Sequence, residues 1–274
     1  MNIRVITKND PDFPKCLRNE TLYFLGNRSL LKNRLFTITG TKDSDREGIS
    51  NAKNFATELI KNNVTPVTGF APGIEKAVAD CGECICILPC GLSPSCVYPK
   101  VHQSLYKEVL ENGGLLLSLE TPDTKAAKWT FPKRNKLLAQ IGEGVLVVQA
   151  GESSDTIRFS KWGRRVYTIP GSISNVRYAG NNILLKTGAK AATSPCDILE
   201  DLGINKKETI ENTECELTEL QQTVLKCLDG ESHFEQIMAK TGLILPEVIE
   251  TVTGLELLGM AEEIKPCIYR KIRR

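Results

Sequence analysis

LFTITGTKDSDREGISNAKNFATELIKNNVTPVTG, residues 35–69, carries the clearest fold signal in this sequence of 274 residues. Its two ends are short apolar runs, 35–40 and 64–69, and each finishes in glycine, as buried strands do where the chain turns. Between them, apolar residues such as Phe55 and Leu59 recur at helical spacing. A strand, a helix and a second strand in this order predict two parallel strands joined by a crossover helix.

The same alternation of apolar runs and helical stretches continues to about residue 189. It predicts an α/β fold in which helices cover both faces of a parallel sheet. The further predicted strands are 84–91, 115–120, 145–148 and 164–171, and the further predicted helices are 73–82, 102–114, 181–189 and one that begins at FPKRNK, residues 131–136.

The sequence divides into a larger and a smaller part. Residues 1–34 are predicted to form an N-terminal cap of the sheet domain, which itself spans residues 35–204. Residues 205–216 are polar and acidic, and we expect them to be a linker. Residues 217–274 contain three helical stretches and a hairpin, which is the pattern of a small C-terminal winged-helix domain.

Charge is distributed unevenly between the two parts. Residues 1–204 hold 26 Lys and Arg against 20 Asp and Glu, whereas the remainder holds 9 against 13. A basic excess in the larger part favours an anionic partner there, although a mildly basic solvated surface has the same composition. The third helical stretch of the smaller part carries Glu247, Glu250 and Glu256 and no cation. Carboxylates repel phosphates, so a protein-contact role is favoured for this part, and its basic tail YRKIRR fits either nucleic acid or solvent.

Bulk composition excludes several classes of protein. Hydrophobic residues make up 41% of the chain and charged residues 25%, as in ordinary globular proteins. No apolar run approaches the ~20 residues that a membrane-spanning helix needs, and the N-terminus has no signal-peptide core. We therefore expect a cytoplasmic protein that does not associate with membranes.

Ten cysteines raise the question of a metal site, since five of them fall between Cys81 and Cys96. A zinc site would need a second Cys-x-x-Cys pair or added histidines. The chain has no second pair, and its only histidines are His102 and His233. We predict buried free thiols, with no metal and no cofactor.

Four predicted strands end in small or glycine-rich turns, namely TGTK, TGFAPG, PCG and IPGS. The carboxyl ends of parallel strands meet at one edge, where ligands bind in α/β sheets. FPKRNK should begin a helix at the same edge, yet cations beside the positive end of a helix dipole are unfavourable. A bound anion would compensate, so the sequence predicts a phosphate-binding crevice.

Particular side chains suggest how an anion would be held. Arg134 can bind a phosphate with two parallel hydrogen bonds; the alternative is an ion pair with a carboxylate such as that of Glu120. Trp129, Phe131 and Trp162 are candidate platforms on which bases of a single strand could stack, and for each the alternative is packing in the core.

Several motifs occur in a characteristic order: ITGTK, VTGFAPGIEKA, ILPCGL followed by YP, FPKRNKLLA, VLVVQAGESS, GRRVYTIPG and GNNILLKTGA. Together they resemble the DNA-processing protein family called DprA or Smf, over most of residues 10–200. The resemblance implies an extended Rossmann-like domain that binds single-stranded DNA. It also implies a homodimer that loads the RecA recombinase on incoming DNA in natural transformation, and a mediator without enzymatic activity.

The residues that match the family's motifs are candidates for DNA contact. Three departures stand beside them: a lysine replaces the usual arginine at position 42, the helix after Gly-Ile-Glu is short and lacks a histidine, and the segment after Gly151 is shortened. The candidates are Lys42, Thr68, Gly69, Gly73, Lys133, Arg134, Asn135, Lys136, Gly171, Gly180 and Asn182.

Two other functions stay open for a fold of this kind. A nucleotide-processing enzyme resembling the cytokinin-activating phosphoribohydrolases would need a Pro-Gly-Gly-x-Gly-Thr segment, where this chain has LPCGLSPS. No nucleophile–base pair is evident in the sequence. A sensor of small nucleotides would use the same crevice without any reaction.

Overall fold

A computed structural model of the chain describes residues 2–17, 20–204, 218–228, 230, 232–257, 260–265 and 267–272. The chain forms two compact units, Met1–Lys206 and Lys207–Arg274. The predicted linker, residues 205–216, lies outside the described residues.

The first unit is built on a mostly parallel sheet, as the sequence predicts. The parallel strands are short, and all but the exposed edge strand are largely buried, because their apolar side chains are covered from both faces. The strands described in this unit are β1 (Arg4–Ile6), β2 (Leu22–Gly26), β3 (Arg34–Thr39), β4 (Val64–Thr68), β5 (Ile85–Ile87), β6 (Leu115–Ser118), β7 (Val145–Val147), β8 (Val166–Thr168) and β9 (Lys190–Ala191).

The strand order is β1-β2-β6-β5-β4-β3-β7-β8-β9. From β6 to β9 all neighbours are parallel, and β1 and β2 continue the sheet as antiparallel strands at the β6 edge. The chain builds outward from β3 to β6 on one side and then returns to add β7 beside β3, with Thr37 opposite Val145. The strand order therefore reverses between β3 and β7, the place where sheets of this kind open a crevice.

Helices cover both faces of the sheet and enclose the core. One face packs against two helices through residues such as Leu137 and Leu184, and the other packs against four helices through residues such as Phe55 and Leu105. The helices of the first unit are α1 (Arg46–Lys61), α2 (Ile74–Ala79), α3 (Gln103–Glu111), α4 (Thr130–Ile141), α5 (Ala179–Lys186) and α6 (Pro195–Asp201).

The described residues before Arg34 contribute to the sheet itself. Because β1 and β2 lengthen the sheet, this segment is more than a cap laid over it. Phe13 and Leu31 from the same segment also pack on the core.

The cysteines of the middle region lie in the interior. Cys84, Cys86 and Cys90 are buried free thiols, and burial raises the pKa of the Cys90 thiol to about 11. Within the described ranges, no cluster of His, Cys, Asp and Glu side chains is arranged to hold a metal ion.

The second unit is a small helical unit with its own antiparallel sheet, in the order β10-β12-β11. Val224, Ile237, Val252 and Tyr269 belong to its core. The three helices and the hairpin lie where the sequence predicts them, and the assignment of the unit as a winged helix stays a prediction. The elements are α7 (Glu219–Cys227), β10 (Ser232–His233), α8 (Phe234–Thr241), α9 (Leu245–Leu257), β11 (Ala261–Lys265) and β12 (Ile268–Lys271).

In the part of the chain that the structure describes, no helix combines the length and the apolar character needed to cross a membrane.

Candidate functional site

The turns that follow β3, β4, β7 and β8 lie at one end of the sheet, which we call the carboxyl edge. It comprises residues 40–45, 69–73, 148–154 and 171–178. Backbone hydrogen bonds connect its turns, since Thr41 N donates to Gln149 O over 2.7 Å and Ile74 N donates to Thr41 O over 3.3 Å. Two of the predicted glycine turns, TGTK and TGFAPG, are therefore joined to each other and to the turn after β7.

Gly73 allows the turns after β3 and β4 to approach each other. Its φ is +76°, a conformation that side chains rarely adopt. An added Cβ would also lie 2.5 Å from Thr41 O and 2.6 Å from Lys42 O. Glycine at this position thus brings the backbone of Lys42 beside the start of α2, and the Lys42 side chain is exposed there.

Gly69 leaves space for a buried carboxylate that the sequence analysis did not select. A Cβ at Gly69 would lie 2.1 Å from Glu75 Oε2, and Glu75 is only 4% exposed. Its carboxylate accepts hydrogen bonds from Thr39 Oγ1 at 3.1 Å and from Ala71 N at 2.9 Å. Glu75 therefore connects the end of β3 to the turn after β4.

Arg134 is the main partner of that carboxylate. Its guanidinium donates from Nη1 to Glu75 Oε1 at 3.0 Å and from Nη2 to Glu75 Oε2 at 3.1 Å. The two side chains are 7% and 5% exposed. The sequence analysis gave an ion pair with a carboxylate such as Glu120 as the alternative to a phosphate contact. The structure has such an ion pair, and its carboxylate is that of Glu75 and not of Glu120, because α4 turns Arg134 inward, toward α2. Nη1 also donates to Asn135 Oδ1 at 3.0 Å.

Lys133 and Lys136 lie on the exposed face of α4. Lys133 Nζ is 4.7 Å from the centre of the Trp129 ring and 3.8 Å from Glu120 Oε1, which is a loose ion pair. Neither Lys136 nor Lys42 has an ion-pair partner among the described residues. Lys42, Lys133 and Lys136 are therefore site cations that a ligand can reach.

The first turn of α4 provides no compensation for these cations. It contains no acidic residue, and its N-cap, Trp129, makes no capping hydrogen bond through its side chain. Because the peptide dipoles of a helix align along its axis, this end is positive even without lysines. The start of α4 is therefore a strongly positive surface.

The start of α1, by contrast, already holds a carboxylate. Asp45 Oδ1 accepts from Gly48 N at 2.8 Å, and this bond holds the pKa of Asp45 below its usual value. Gln149 fixes the carboxylate further by donating to Asp45 Oδ2 at 2.9 Å. The helix N-terminus beside the β3–β7 crevice is thus occupied by the chain's own anion, and positive potential is left at the α4 side.

Aromatic rings surround the lysines of α4. Trp129 is 53% exposed, and the half-buried ring of Phe131 meets the ring of Tyr98 edge-on, with centres 5.8 Å apart. Tyr98 is 49% exposed and was missed, although it follows a strand that ends at this side of the sheet. Trp162 packs on the core beside Phe159, so the structure supports core packing for this residue and not a base-stacking platform.

The remaining predicted residues shape the backbone around the site. Thr68 is buried, and its hydroxyl donates to Ile38 O at 2.9 Å, so it ties β4 to β3. A Cβ at Gly171 would lie 2.1 Å from the Tyr178 ring, and one at Gly180 would lie 2.6 Å from Ala150 O.

Asn181 and Asn182 hold the turns after β7 and β8. Asn182 Nδ2 donates to Gly171 O at 3.1 Å. The fully buried Asn181 accepts from Ala150 N at 2.7 Å and donates to Ile169 O at 3.0 Å. Only Asn182 was predicted from the sequence as a site residue. Asn181 lies on the buried side of the first turn of the same predicted helix, and this position could have indicated it.

The chain matches a described protein family over most of its length. The model of the family called DNA recombination-mediator protein A matches residues 4–203. That range includes every described strand of the first unit.

Individual relatives agree with the family match. Over 192 residues the chain is 32% identical to the DNA processing protein DprA of Bacillus subtilis. The matched region covers 66% of this chain and 63% of that protein. The match therefore spans less than two thirds of that relative.

Solved structures show the same fold. DprA from Streptococcus pneumoniae superposes with a TM-score of 0.66 at 28% identity and covers 73% of this chain and 74% of its own. A structure that describes the single-stranded DNA binding mode of DprA from Helicobacter pylori superposes with a TM-score of 0.65 at 24% identity and covers 73% and 95%.

Proposed function

The chain belongs to the family of DNA recombination-mediator protein A, the DprA or Smf family, and from this premise we propose that it binds single-stranded DNA along the carboxyl edge and the start of α4. The observation that carries the proposal is the exposed positive charge at the start of α4, which is compensated only weakly, by Glu120, and lies beside exposed aromatic rings. Positive grooves with aromatic platforms are how proteins bind single strands without regard to sequence.

The cations supply most of the affinity. Lys42, Lys133 and Lys136 contact phosphates, which releases counterions from the DNA and makes the binding strongly dependent on salt. Glycines at positions 69, 73 and 171 maintain the backbone beside these lysines, because each permits a close contact that a side chain would block.

Trp129 and Phe131 provide surfaces on which bases stack, and Tyr98 extends that surface. Every base presents an aromatic face, so stacking adds affinity without selecting a sequence. A structure of the Helicobacter pylori relative concerns binding of single-stranded DNA, and this supports the same class of ligand here.

The family further supports a role as a mediator of DNA recombination. We propose that the chain acts in the cytoplasm as a homodimer and loads the RecA recombinase on single strands that enter during natural transformation. In this role the second unit, whose α9 is acidic, contacts protein and leaves the DNA to the first unit.

Binding of fluorescein-labelled oligo-dT, followed by anisotropy between 50 and 300 mM salt at about neutral pH, tests the proposal. We expect the logarithm of the association constant to fall linearly with the logarithm of the salt concentration, with a slope near −0.7 for each phosphate contacted. The variant Lys42→Gln/Lys133→Gln/Lys136→Gln should bind more weakly and show a shallower slope.

Glu247→Gln/Glu250→Gln, which alters exposed carboxylates of α9, is the matched control and should bind like the wild type. Equal affinity of the triple lysine variant and the wild type would contradict the proposal. A parallel titration with nucleoside monophosphates separates it from the nucleotide-sensor and enzyme alternatives: tighter binding of a mononucleotide than of oligo-dT, or release of free base, would favour those.

A further inference from the structure

We propose that Arg134 serves DNA binding as a positioning residue that acts through Glu75, and that it makes no contact with phosphate; this inference rests on the proposed function. A basic residue at the start of a helix in a predicted phosphate site would ordinarily be assigned a phosphate. The geometry points to a different role.

The terminal nitrogens of Arg134 are bonded to protein, and its Nε is buried without a hydrogen-bond partner among the described residues. Both of its terminal nitrogens donate to the Glu75 carboxylate, at 3.0 and 3.1 Å, and the side chain is 7% exposed. To reach a phosphate, Arg134 would have to leave Glu75 as a buried charge without its partner. Removing one member of a buried pair is strongly destabilising, so the exchange is unfavourable.

Glu75 joins β3 and the carboxyl edge to α4. Its carboxylate is bonded to Thr39 at the end of β3, to the backbone of Ala71 in the turn after β4, and to Arg134 on α4. The pair therefore fixes how far the glycine turn 69–73 stands from the first turns of α4.

The lysines that can reach phosphate do not take part in that pair. Lys133 and Lys136 are three residues apart, so they share one face of α4, while Arg134 is directed inward with Leu137 and Leu138. If the pair is removed, the turn 69–73 can shift away from α4. The uncharged contacts of that turn with the DNA are then lost, while Lys133 and Lys136 keep their phosphates.

A charge-neutral double variant, Glu75→Gln/Arg134→Met, separates the two roles. It removes one positive and one negative group, so the net charge of the protein is unchanged. We expect its affinity for oligo-dT to fall at least tenfold while the salt slope stays within about 0.2 of the wild type, since the number of phosphate contacts at the lysines is preserved. A slope reduced by about 0.7, the value for one lost phosphate contact, would overturn the proposal.

Lys136→Gln provides the comparison, because it changes an exposed cation of the same helix. Its slope should fall by about 0.7. An unchanged slope in Lys136→Gln, or a wild-type protein that does not bind oligo-dT, would refute the proposed function itself, and so the two failures are distinguishable.

Single variants keep the inference testable if the double variant does not fold, which its circular-dichroism melting curve will show. Glu75→Gln releases Arg134; we expect weaker binding, and tighter binding with a steeper slope would overturn the inference. Arg134→Lys keeps the charge but cannot make two parallel bonds to Glu75, so we expect weaker binding at an unchanged slope. Wild-type affinity in Arg134→Lys would contradict a positioning role.

Discussion

Helices α4 and α9 begin with opposite charges. The first turn of α9 contains Glu247, whose Oε2 accepts from Ile244 N at 3.1 Å. The carboxylate therefore satisfies a free N–H group and the positive end of the helix dipole together. The start of α4 holds cations instead, with no acidic residue in its first turn.

The difference shows which helix start has its charge compensated by the chain itself. In α9 a carboxylate stands at the helix start, as the helix dipole favours, so the positive end of α9 is already compensated without an anionic ligand. In α4 the structure compensates only Arg134 fully, through Glu75, and Lys133 weakly, through Glu120 at 3.8 Å. The positive charge that remains is suited to binding and unfavourable for the stability of the helix.

The largest test of this comparison makes α4 resemble α9. In Lys133→Glu/Lys136→Glu, two exposed cations become carboxylates, and we expect the affinity for oligo-dT to fall about 100-fold or more. The salt slope should become shallower by about 1.4, because two phosphate contacts are lost. Anisotropy titrations at several salt concentrations measure both quantities; an affinity within twofold of the wild type would remove the assigned role from this helix.

Substitution of Trp129 tests the aromatic part of the same helix start. Loss of one stacked base costs about 1–3 kcal/mol, so Trp129→Ala should weaken binding by roughly 5- to 150-fold. The salt slope should change little, since no phosphate contact is made by the ring. Trp129→Phe keeps an aromatic face and should recover most of the affinity; equal weakening in both variants would argue against stacking.

The two histidines extend the contrast to pH. His102 in the first unit is buried, with Nδ1 3.1 Å from Phe70 O in the turn after β4, and burial lowers its pKa below the usual value. The folded state therefore holds His102 neutral, whereas the unfolded chain takes up a proton near pH 6.5. Stability contributed by this group is present above about pH 6.5 and is lost as the pH falls below it.

We expect the melting temperature of His102→Gln to change less between pH 7 and pH 5 than that of the wild type. His233→Gln, in the second unit, is the matched control and should retain the wild-type dependence on pH. If both variants follow the wild-type curve, burial of His102 contributes nothing measurable to the acid sensitivity.

The smallest expected effects concern the helices themselves. Lys136→Glu places a carboxylate in the second turn of α4, where the helix dipole acts weakly, and should raise the free energy of unfolding by at most about 0.3 kcal/mol. Glu247→Lys, in the first turn of α9, should lower it by about 0.3–1 kcal/mol. Urea denaturation at low salt measures both changes. Shifts of the same sign in the two variants would show that the dipole does not distinguish the two helices.

Much of the fold could be predicted because its signals are local. Short apolar runs gave the parallel strands β3 to β8, whereas the exposed two-residue β9 was missed. Helical spacing of residues such as Phe55 and Leu59 gave α1. The N-terminal strands were harder, since β1 has only three residues and two of them are exposed. Pairing with β2, eighteen or so positions along the chain, determines that strand, and local pattern does not reveal such pairing.

The sequence could predict where the site lies but not which of its side chains pair with each other. The glycine turns and the basic start of α4 are local features, and both lie where the topology of parallel strands places them. The Glu75–Arg134 pair joins residues 59 positions apart, and no periodicity indicates which of several cations turns inward. Asp45 was accessible in principle, because aspartate immediately before a helix is a typical N-cap.

The pairing of Thr37 with Val145 has a consequence for how the protein is made. The central strand β3 is synthesised early, yet its second neighbour is added only after more than one hundred further residues have been translated. Pairings across such separations form late, because the chain between them must first be ordered. A nascent chain that stops before β7 has the first half of the sheet and an exposed strand edge at β3. If the ribosome pauses between β6 and β7, the nascent chain therefore exposes an aggregation-prone strand edge. Such an edge is a binding site for a chaperone.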